Sequence, residues 1–416
     1  MAQYDVAIVG SGIVGATMAA LLGESGLQVA LIDAGRQEAQ WSSDTKDSRV
    51  SAVTEASRAL FISLGVWSSI KARRVSPYTH MQVWDSEGVG EINFSASEVG
   101  RSCLGHIVEN SAIVDSLLER LRTLESVTLF PEEKIVGCHS VPESIVECKR
   151  TLLFQSGSEL EASVVIGADG SRSTLRRLLG IGVDEYKTGQ TAIVASVEHM
   201  KPHEKTARQI FLPTGPLAFL PLAIEGQAQQ WSSIVWSADD DEAQRLLTLD
   251  PDDFAHALAS AMEGRLGKMR YVSQLFSFPL TQRHAQKYVL PGVALIGDAA
   301  HSIHPLAGQG ANLGLMDAAV LAEELVRAYK RGAPLGDERV LSRYVRRRKS
   351  DNGLMLTLMD AFRIGFGTKN PLIRVVRNAG LSMTNRLLPV KRTMIRQALG
   401  THNDLPLRIK SHMTVE

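Results

Sequence analysis

Hydrophobic patterning near the amino terminus predicts a strand, a helix and a second strand in close succession. Asp5–Val9 is a short and mostly β-branched run, as expected of a buried parallel strand. Apolar residues then recur at helical spacing up to Gly26, where we expect the helix to end. A second strand is predicted at Gln28–Ile32, directly before Asp33. This segment therefore predicts one complete βαβ unit.

Two later apolar runs also end in glycine and aspartate, as strands that lead into a tight turn do. The first run is followed by Asp169 and Gly170, and the second by Gly297 and Asp298. Further strand-like runs lie at 191–197, 217–222 and 231–236, and 239–263 has the composition of a helical insertion. The fold class that we predict is α/β, or α+β when the whole chain is considered.

Composition excludes several classes of protein. The 416 residues carry 45 basic and 45 acidic side chains, so the charge balance gives no indication of nucleic-acid binding. Cys103, Cys138 and Cys148 lack the paired spacing of zinc sites and disulfide frameworks, which favours a reducing compartment. We expect no signal peptide and no membrane-spanning run, and therefore a cytoplasmic protein.

The residues after the first predicted strand form a glycine pattern suited to a dinucleotide. Gly10 permits a tight turn, Gly12 lets a pyrophosphate approach the backbone, and Gly15 lets the helix pack close to the strand. The amino terminus of that helix would direct its partial positive charge at the phosphates. Asp33 stands where a carboxylate can accept hydrogen bonds from an adenosine ribose. The dinucleotide-binding residues predicted here are Gly10, Gly12, Ile13, Val14, Gly15 and Asp33.

The segment from Gly297 to Asp317 is too specific for a generic loop. Asp298, at the end of a strand, can accept a hydrogen bond from a ribitol hydroxyl, and the proline and glycines that follow leave a surface lined by backbone. A helix that starts at 308–310 would stabilise the negative charge of a reduced flavin, so the cofactor that we predict is FAD. The flavin-binding residues predicted in this segment are Gly297, Asp298, Pro305, Gly308, Gln309, Gly310, Ala311 and Asn312.

Three motifs in this order resemble the class A flavoprotein monooxygenases, relatives of para-hydroxybenzoate hydroxylase. The motifs are the glycine pattern at 10–15, the stretch at 169–176 and the Gly-Asp stretch from 297. The chain is also similar to the ubiquinone-biosynthesis hydroxylases, especially the 2-polyprenylphenol hydroxylase branch. That similarity extends to about Pro406 and is carried by His-Pro-Leu-Ala-Gly-Gln-Gly at 304–310, Arg-Val-Ser-Ala at 49–52, Leu-Gly-Val-Trp at 64–67 and Leu-Gly-His-Ile-Val-Glu-Asn at 104–110.

The resemblance implies an enzyme that hydroxylates the aromatic ring of a polyprenylphenol intermediate of ubiquinone biosynthesis. NADPH or NADH would reduce the bound FAD, dioxygen would add to it, and a flavin hydroperoxide would transfer one oxygen atom to the ring. By the same resemblance Arg49 and Asn110 would lie along the FAD diphosphate and ribitol; a surface ion pair and a helix cap are the alternatives. Asp169, Gly170 and Arg176 would place the flavin and dock the reductant.

The motifs extend from residue 10 to residue 310, so one domain must be assembled from separated segments. We predict a Rossmann-like FAD-binding domain from 1–75, 99–180 and 276–338, an interleaved β-sheet substrate domain from 76–98 and 181–275, and a helical, basic carboxy-terminal region at 339–416. Candidates for the wall of a substrate cavity, with ordinary core positions as the alternative, are Phe211, Phe219, Pro221 and Trp236.

The carboxy-terminal region is strongly basic. Residues 339–396 hold fourteen Lys and Arg residues against Asp351 and Asp360, interleaved with apolar positions. Such helices can lie on the anionic inner face of a membrane or contact other enzymes of ubiquinone biosynthesis. The alternative is a solvated basic face on helices that pack against the core. A homo-oligomer is also compatible with the sequence.

Several questions about chemistry stay open at the level of sequence. His301 and His304 lack further ligand-type residues beside them, which favours a structural role; we predict no metal site. No residue stands out as a base for the phenol, so the catalytic residues are unknown. One rival is a flavin reductase or dehydrogenase without oxygen insertion, because cofactor motifs do not report the second half-reaction. The other is a non-catalytic FAD-binding subunit of a larger assembly.

Overall fold

A computed structural model describes residues 2–43, 47, 49–142, 148–224, 229–302, 310–348, 385, 387–400 and 404–413. The strands are β1 (Ala2–Val9), β2 (Val29–Ile32), β3 (Val50–Val53), β4 (Val75–Tyr78), β5 (His80–Asp85), β6 (Glu91–Ser95), β7 (Gly105–Glu109), β8 (Val127–Phe130), β9 (Ile135–Pro142), β10 (Cys148–Phe154), β11 (Glu159–Gly167), β12 (Val183–His199), β13 (Thr206–Leu212), β14 (Gly215–Leu222), β15 (Trp231–Asp239), β16 (Met269–Val272), β17 (Phe276–Ala285), β18 (Val289–Leu290), β19 (Val293–Leu295) and β20 (His301–Ser302).

The helices lie between these strands and after the last of them. They are α1 (Ile13–Gly23), α2 (Glu55–Ser63), α3 (Trp67–Ala72), α4 (Asn110–Leu121), α5 (Thr174–Leu178), α6 (Asp240–Leu247), α7 (Pro251–Ala261), α8 (Gly310–Lys330), α9 (338–348), α10 (Leu388–Ala398) and α11 (Leu407–Lys410). Short 3-10 turns occupy Ala96–Val99 and Gly297–Ala299. The mixture of helices and sheets confirms the predicted fold class.

The first sheet contains five parallel strands in the order β19-β11-β1-β2-β8. Successive residues of β1, Val6, Ala7 and Ile8, are all fully buried, so this strand is covered on both faces. That burial explains why the sequence shows a continuous apolar run and no alternation. The neighbours of β1 are β2, next in the chain, and β11, more than a hundred residues later. The predicted βαβ unit is present as β1, α1 and β2.

A second, nine-stranded sheet has the order β20-β17-β12-β15-β14-β13-β5-β6, with β16 also paired to β12. One face of this sheet packs under α6 and α7, and Phe254 and Leu258 of α7 belong to the same buried cluster as Ile234 of β15. The other face packs against the small sheet β3-β7-β4, through a cluster that contains Leu220, Leu222 and Trp231. The second sheet is therefore a layer with a helical cover on one side and the first unit on the other.

Strand pairing differs from the predicted domain boundaries at one point. The sequence analysis assigned 276–338 to the FAD-binding domain, whereas β17 and β20 are paired within the nine-stranded sheet. The hydrophobic periodicity of an edge strand does not show which strand it pairs with, since pairing depends on the whole sheet. A boundary placed after Ala285 follows the pairing more closely, and the domain limits stay a prediction.

The described parts of the carboxy-terminal region pack on the rest of the protein. In α10, Ile395 is buried against Leu104, and the buried Lys391 contacts Glu98 with 2.6 Å between Nζ and Oε1. In α9, Arg347 forms an ion pair with Glu323 of α8. These contacts agree with the alternative in which the basic helices pack against the core. Most of 349–386 lies outside the described residues. No described helix combines the length and the apolar composition needed to cross a membrane.

Two histidines of the second sheet predict an acid-sensitive fold. His199 and His203 are buried, and burial lowers the pKa of each from 6.5 to about 4. Between pH 6.5 and 4 the two histidines are protonated in the unfolded chain but stay neutral in the folded protein. We expect the free energy of unfolding to fall between pH 6.5 and 4, by up to about 1.4 kcal/mol per pH unit for each histidine. Denaturant unfolding across this range measures the slope.

A matched pair of variants identifies the source of this slope. The double variant His199→Gln/His203→Gln should have a shallower dependence on pH than the unmodified protein. Replacement of the exposed His80 with Gln should leave the slope unchanged. An unchanged slope in the double variant would contradict the assignment to these two histidines.

Candidate flavin-binding site

The three motifs predicted to bind the cofactor meet at one edge of the first sheet. Val9 at the end of β1 is opposite Gly167 of β11, and Gly167 is opposite Leu295 of β19. Because the strands are parallel, their carboxyl ends lie side by side. The backbone continues this alignment past the ends, where the amide of Ala168 donates to the Val9 carbonyl at 2.8 Å. The convergence predicted from sequence is therefore present.

The glycines of the first motif have distinct roles in the packing. Gly10 has φ +105°, and a Cβ there would lie 2.5 Å from the carbonyl oxygen of Ala168. A Cβ on Gly15 would lie 1.9 Å from the carbonyl oxygen of Gly10. A Cβ on Gly12 would meet no described heavy atom within 4 Å. Gly10 and Gly15 are thus required by the protein's own packing, whereas Gly12 faces open space at the start of α1.

Asp33 lies beside this turn, at the end of β2. Its Oδ2 accepts hydrogen bonds from the Ser11 amide at 2.6 Å and the Ser11 hydroxyl at 2.8 Å. Its Oδ1 accepts from the Gly35 amide at 2.8 Å. The carboxylate is held next to the helix start, where an adenosine ribose bound across the turn would meet it. Ser11 was not among the predicted site residues.

The second motif holds a half-buried carboxylate with one unused oxygen. Oδ2 of Asp169 accepts from the amides of Thr174 and Leu175 at 2.6 and 3.1 Å, which caps α5. Its Oδ1 is buried and has no hydrogen-bond partner in the described part of the chain. Gly170, with φ +78°, follows directly. A buried acceptor that lacks a hydrogen-bond donor is unfavourable. A ligand that donates a hydrogen bond to Oδ1 would therefore fit this site.

Arg176 joins the second motif to the third. Its guanidinium donates to the carbonyl of Ala299 at 2.6 Å and to the carbonyl of Ser171 at 2.8 Å. The side chain is buried, and burial lowers its pKa, an effect that Asp169 opposes. Arg176 therefore fixes the relative position of two cofactor segments, in addition to any contact with a reductant.

The third motif packs closely on the first. Gly297 has φ +57°, and a Cβ there would lie 3.3 Å from Cγ2 of Val14. A Cβ on Gly314 in α8 would lie 2.6 Å from the same atom. Val14 thus contacts the 297–299 turn and α8, and both Val14 and Ile13 beside it are half-buried. Small residues at these positions allow both helices to reach the turn.

Asp298 stands in the turn with its side chain accessible to solvent. Crowding by surrounding protein raises the pKa of its carboxyl group; His301 opposes this rise and Asp317 adds to it. An accessible carboxylate at a strand end can bind ribitol hydroxyls, as the sequence predicts. Together with the open space at Gly12 and the unused oxygen of Asp169, this position fits an extended FAD.

Asp317 of α8 holds the flavin turn, a role that the sequence analysis missed. Its Oδ2 accepts from the Gly297 amide at 3.0 Å and lies 2.6 Å from Nε2 of His301, and its Oδ1 accepts from Nε of Arg348 at 2.8 Å. Burial alone would raise the pKa of Asp317, but the charges of His301 and Arg348 and their hydrogen bonds hold it well below its ordinary value. The carboxylate is therefore a fully buried anion that fixes the turn.

The ring of His301 is part of this network and not of an open ligand set. It is buried, bonded to Asp317, and stacked on Tyr288 with ring centroids 5.9 Å apart. This is the arrangement that a structural role requires. His304, like the predicted site residues Pro305, Gly308 and Gln309, lies outside the described residues.

The remaining predicted residues flank the start of α8 and the small sheet. Gly310 and Ala311 begin α8, and the buried Asn312 donates from Nδ2 to the Ala52 carbonyl at 2.8 Å and accepts from the Ser57 hydroxyl at 2.7 Å. Asn312 thus connects α8 to β3 and α2. Its amide is occupied by protein, so direct cofactor contact stays a prediction.

Arg49 and Asn110 are neighbours in the structure. The Asn110 amide donates to the Arg49 carbonyl at 3.0 Å, and the Arg49 side chain is exposed. Asp47 accepts from the Arg49 amide at 2.9 Å and from the Ser111 amide at 3.0 Å, so it caps the beginning of α4. Contact of Arg49 and Asn110 with FAD remains predicted.

The nine-stranded sheet turns one face towards these segments. Ala52 and Ile107 of the small sheet contact Leu220, Leu222 and Trp231. Side chains alternate between faces along a strand. Residues two positions away from these three, and residues directly opposite them on the next strand, therefore lie on the same side. We call this the inner face; its members include Ala192, Val194, Ser196, Glu198, Ala218, Leu220, Leu222, Trp231, Ser233, Val235 and Ser237.

The aromatic residues considered for the cavity wall divide between the two faces. Phe219 and Trp236 lie in the core under α6 and α7, away from the flavin segments, so the core alternative holds for both. By alternation, Pro221 shares their side and Phe211 lies on the inner face. Alternation in the sequence separates the two sides but does not reveal which of them meets the first sheet.

Comparison with known proteins agrees with this geometry. A family model described as "FAD binding domain" matches residues 3–353. The 3-demethoxyubiquinol 3-hydroxylase of Escherichia coli (strain K12) is 36% identical over 398 residues, 95% of this chain and 98% of the relative. The chain belongs to the ubiquinone-biosynthesis family of FAD-dependent hydroxylases. A further member, the ubiquinone hydroxylase UbiL of Rhodospirillum rubrum, is 36% identical over 95% of this chain and 90% of its own length.

Solved structures share the fold of this hydroxylase. The p-nitrophenol 4-monooxygenase PnpA of Pseudomonas putida has a TM-score of 0.75 at 21% identity, over 96% of this chain and 99% of that one. PqsL of P. aeruginosa, described as a probable FAD-dependent monooxygenase, has a TM-score of 0.74 at 23% identity, over 91% and 99%. The predicted family and its activity class, an FAD-dependent monooxygenase, are confirmed.

Proposed function

We propose that this hydroxylase adds one oxygen atom to the aromatic ring of a polyprenylphenol-type intermediate of ubiquinone biosynthesis, with NADPH or NADH as the reductant. The observation that carries the proposal is that three glycine-bearing strand ends lie side by side, and that Ala52, bonded to Asn312 near the start of α8, packs against the inner face of the second sheet. A flavin held at the strand ends and a ring held against that face would share one enclosed space. The relatives' names, which include a demethoxyubiquinol hydroxylase and a ubiquinone hydroxylase, support this class of substrate.

Named residues would hold the two halves of FAD. Asp33 and the start of α1 at Gly12 suit the adenosine ribose and pyrophosphate, and Asp298 and the start of α8 suit the ribitol and the ring. When bound, FAD supplies the redox chemistry that activates dioxygen for transfer of one atom to the substrate. The protein contributes position, a fixed electrostatic environment and exclusion of water.

The inner face suits an aromatic substrate. It is mostly apolar, with Ala218, Leu220 and Val194 among its buried members, so water is excluded where the ring would lie. Three hydroxyls, those of Ser196, Ser233 and Ser237, interrupt the apolar surface. Such a surface favours a flat ring with few oxygens over a charged substrate.

Lipid analysis of cells tests this proposal and identifies the substrate. Cells from which the gene has been deleted should accumulate a prenylated phenol that lacks one ring hydroxyl, and the intact gene should remove it. Unchanged prenylated phenols after deletion would contradict the proposal. Retention of reductant oxidation without any ring product would favour the rival reductase, and no reductant oxidation with any phenol would favour a non-catalytic subunit.

A further inference from the structure

Three exposed aromatic side chains line one edge of the nine-stranded sheet. Phe276 and Phe278 of β17 are 38% and 41% exposed, and Tyr271 of β16 is 50% exposed. We call these three residues the aromatic edge. Among the residues that the structure describes, the outer side of β17 is paired at 283 and 284 only, with β20. Large apolar side chains grouped at one place on a surface indicate a binding site more often than solitary ones do.

Strand register places the aromatic edge on the inner face. Phe276 is opposite Val194 and Phe278 is opposite Ala192, both of which belong to the inner face. Tyr271 is opposite Glu198, two positions after Ser196 on the same strand. Directly opposed residues point to the same side of a sheet. The aromatic edge therefore continues the inner face from its buried centre out to solvent.

Direct contacts connect this edge to the flavin-binding segments. The ring of Tyr271 packs on Trp231 with centroids 5.5 Å apart. Trp231 belongs to the buried cluster that contains Leu220 and Ala52. The Ala52 carbonyl accepts from Asn312 near the start of α8. A series of packed apolar side chains, which we call the path, thus connects the surface to Ala52. Ala52 is bonded to Asn312 near the start of α8.

Two polar groups mark the buried part of the path. Ser196 and Ser233 are opposite each other on β12 and β15, and Ser233 is opposite Leu220 on β14. Both hydroxyls are buried and lack a hydrogen-bond partner among the residues that the structure describes. A buried hydroxyl without a partner is unfavourable unless a ligand supplies one. These groups suit the oxygens of a substituted aromatic ring.

The chemistry of the edge favours a hydrocarbon chain over a second protein strand. A strand added to this edge would need backbone donors along β17, but Pro279 has none. An isoprenoid chain needs only apolar contact, which Phe276 and Phe278 offer on the inner face. A surface that extends from a buried centre to a solvent-exposed edge suits an elongated ligand whose ring is buried and whose tail reaches solvent or a lipid phase.

We propose that the isoprenoid tail of the substrate leaves the flavin site along the inner face and across Tyr271, Phe276 and Phe278, while Ser196 and Ser233 bond to the oxygens of its ring. This inference rests on the proposed function and names a tail-binding surface within it. The surface makes the enzyme selective for tailed phenols. Its removal affects recognition of the tail and leaves the chemistry at the ring intact.

Kinetics with two substrates test the tail path. We compare a phenol that carries a long isoprenoid tail with the same phenol without a tail. In the double variant Phe276→Ser/Phe278→Ser, kcat/KM for the tailed phenol should fall about 10- to 100-fold, because two apolar contacts are lost. For the tailless phenol kcat/KM should stay within about twofold. The variant Phe276→Leu/Phe278→Leu should recover most of the loss.

Matched controls separate this effect from a general loss of structure. Tyr329→Ser, which removes a 42% exposed aromatic side chain from α8, should change neither rate. Ser233→Ala should raise KM for both phenols by the same factor. FAD content, measured by absorbance, should be equal in all variants. Equal losses with both phenols in the Phe276/Phe278 double variant, or no loss with either, would overturn the tail path.

Other outcomes are equally decisive. A change in the oligomeric state of the Phe276/Phe278 double variant, with tail selectivity unchanged, would assign the edge to a second copy of the chain and overturn the proposal. An unchanged KM in Ser233→Ala would overturn the placement of the ring. Failure of the unmodified enzyme to hydroxylate either phenol would reject the proposed function itself, a result distinct from loss of tail selectivity alone.

Discussion

Replacement of Gly12 with valine is expected to abolish FAD binding while the apoprotein stays folded. A Cβ at Gly12 points into open space, and its φ of −65° and ψ of −177° are accessible to valine. The added side chain would occupy the space that a pyrophosphate needs at the start of α1. We expect FAD affinity to fall at least about 100-fold, equivalent to about 2.7 kcal/mol. Titration of the apoprotein with FAD measures the loss.

Gly15 provides the matched control. A Cβ at Gly15 would lie 1.9 Å from the Gly10 carbonyl oxygen, so Gly15→Val must displace backbone even without cofactor. The melting temperature of apo Gly15→Val should therefore fall sharply, whereas that of apo Gly12→Val should stay within a few degrees of the unmodified apoprotein. Normal FAD content in Gly12→Val would contradict the assigned pyrophosphate position.

Replacement of Asp317 with asparagine is expected to lower the free energy of unfolding by about 3–5 kcal/mol. The carboxylate is fully buried and forms an ion pair with Arg348, so its neutral isostere removes this negative charge from beside a buried guanidinium. The same carboxylate accepts from the Gly297 amide, so the flavin turn should loosen and FAD affinity should also fall. Denaturant unfolding of the apoprotein and FAD titration measure the two effects.

A double-mutant cycle shows whether the loss arises from charge. Combination of Asp317→Asn with Arg348→Met removes both charges, so the double variant should be less destabilised than the sum of the single variants. The exposed pair of Glu132 and Arg36 is the control, and Glu132→Gln should change stability by less than about 1 kcal/mol. Additive losses in the cycle would contradict the proposed coupling.

Local features of the site were predictable from sequence because their causes are local. Tight turns and close helix packing require glycine at positions such as Gly10 and Gly15 wherever the rest of the chain lies. Apolar runs that end in Gly-Asp mark strand ends in the same way. The motifs predict the order of the strands only if one cofactor binds across all three strand ends. The pairing of β1 with β11 and of β11 with β19 places these strand ends side by side, as such a cofactor requires.

Long-range features could not be obtained in this manner. Asp317 was visible in the motif, but its bonds to Gly297 and Arg348 depend on how α8 and α9 pack. Arg176 was assigned to the cofactor, yet its two backbone acceptors come from segments that meet only in the folded protein. The strands of the second sheet were predictable from apolar runs, but these runs could not decide between the cavity wall and the core for Phe219. In each of these cases the contacts of the side chain depend on packing between segments that are distant in the sequence.

The most direct measurement of the central claim uses isotopically labelled dioxygen. The purified protein, loaded with FAD and supplied with NADPH or NADH and a prenylated phenol, is exposed to ¹⁸O₂, and the product is analysed by mass spectrometry. We predict a ring hydroxyl with one labelled oxygen atom, and no product from Gly12→Val. Oxidation of the reductant without labelled phenol, or label from water in the product, would contradict hydroxylation at this site.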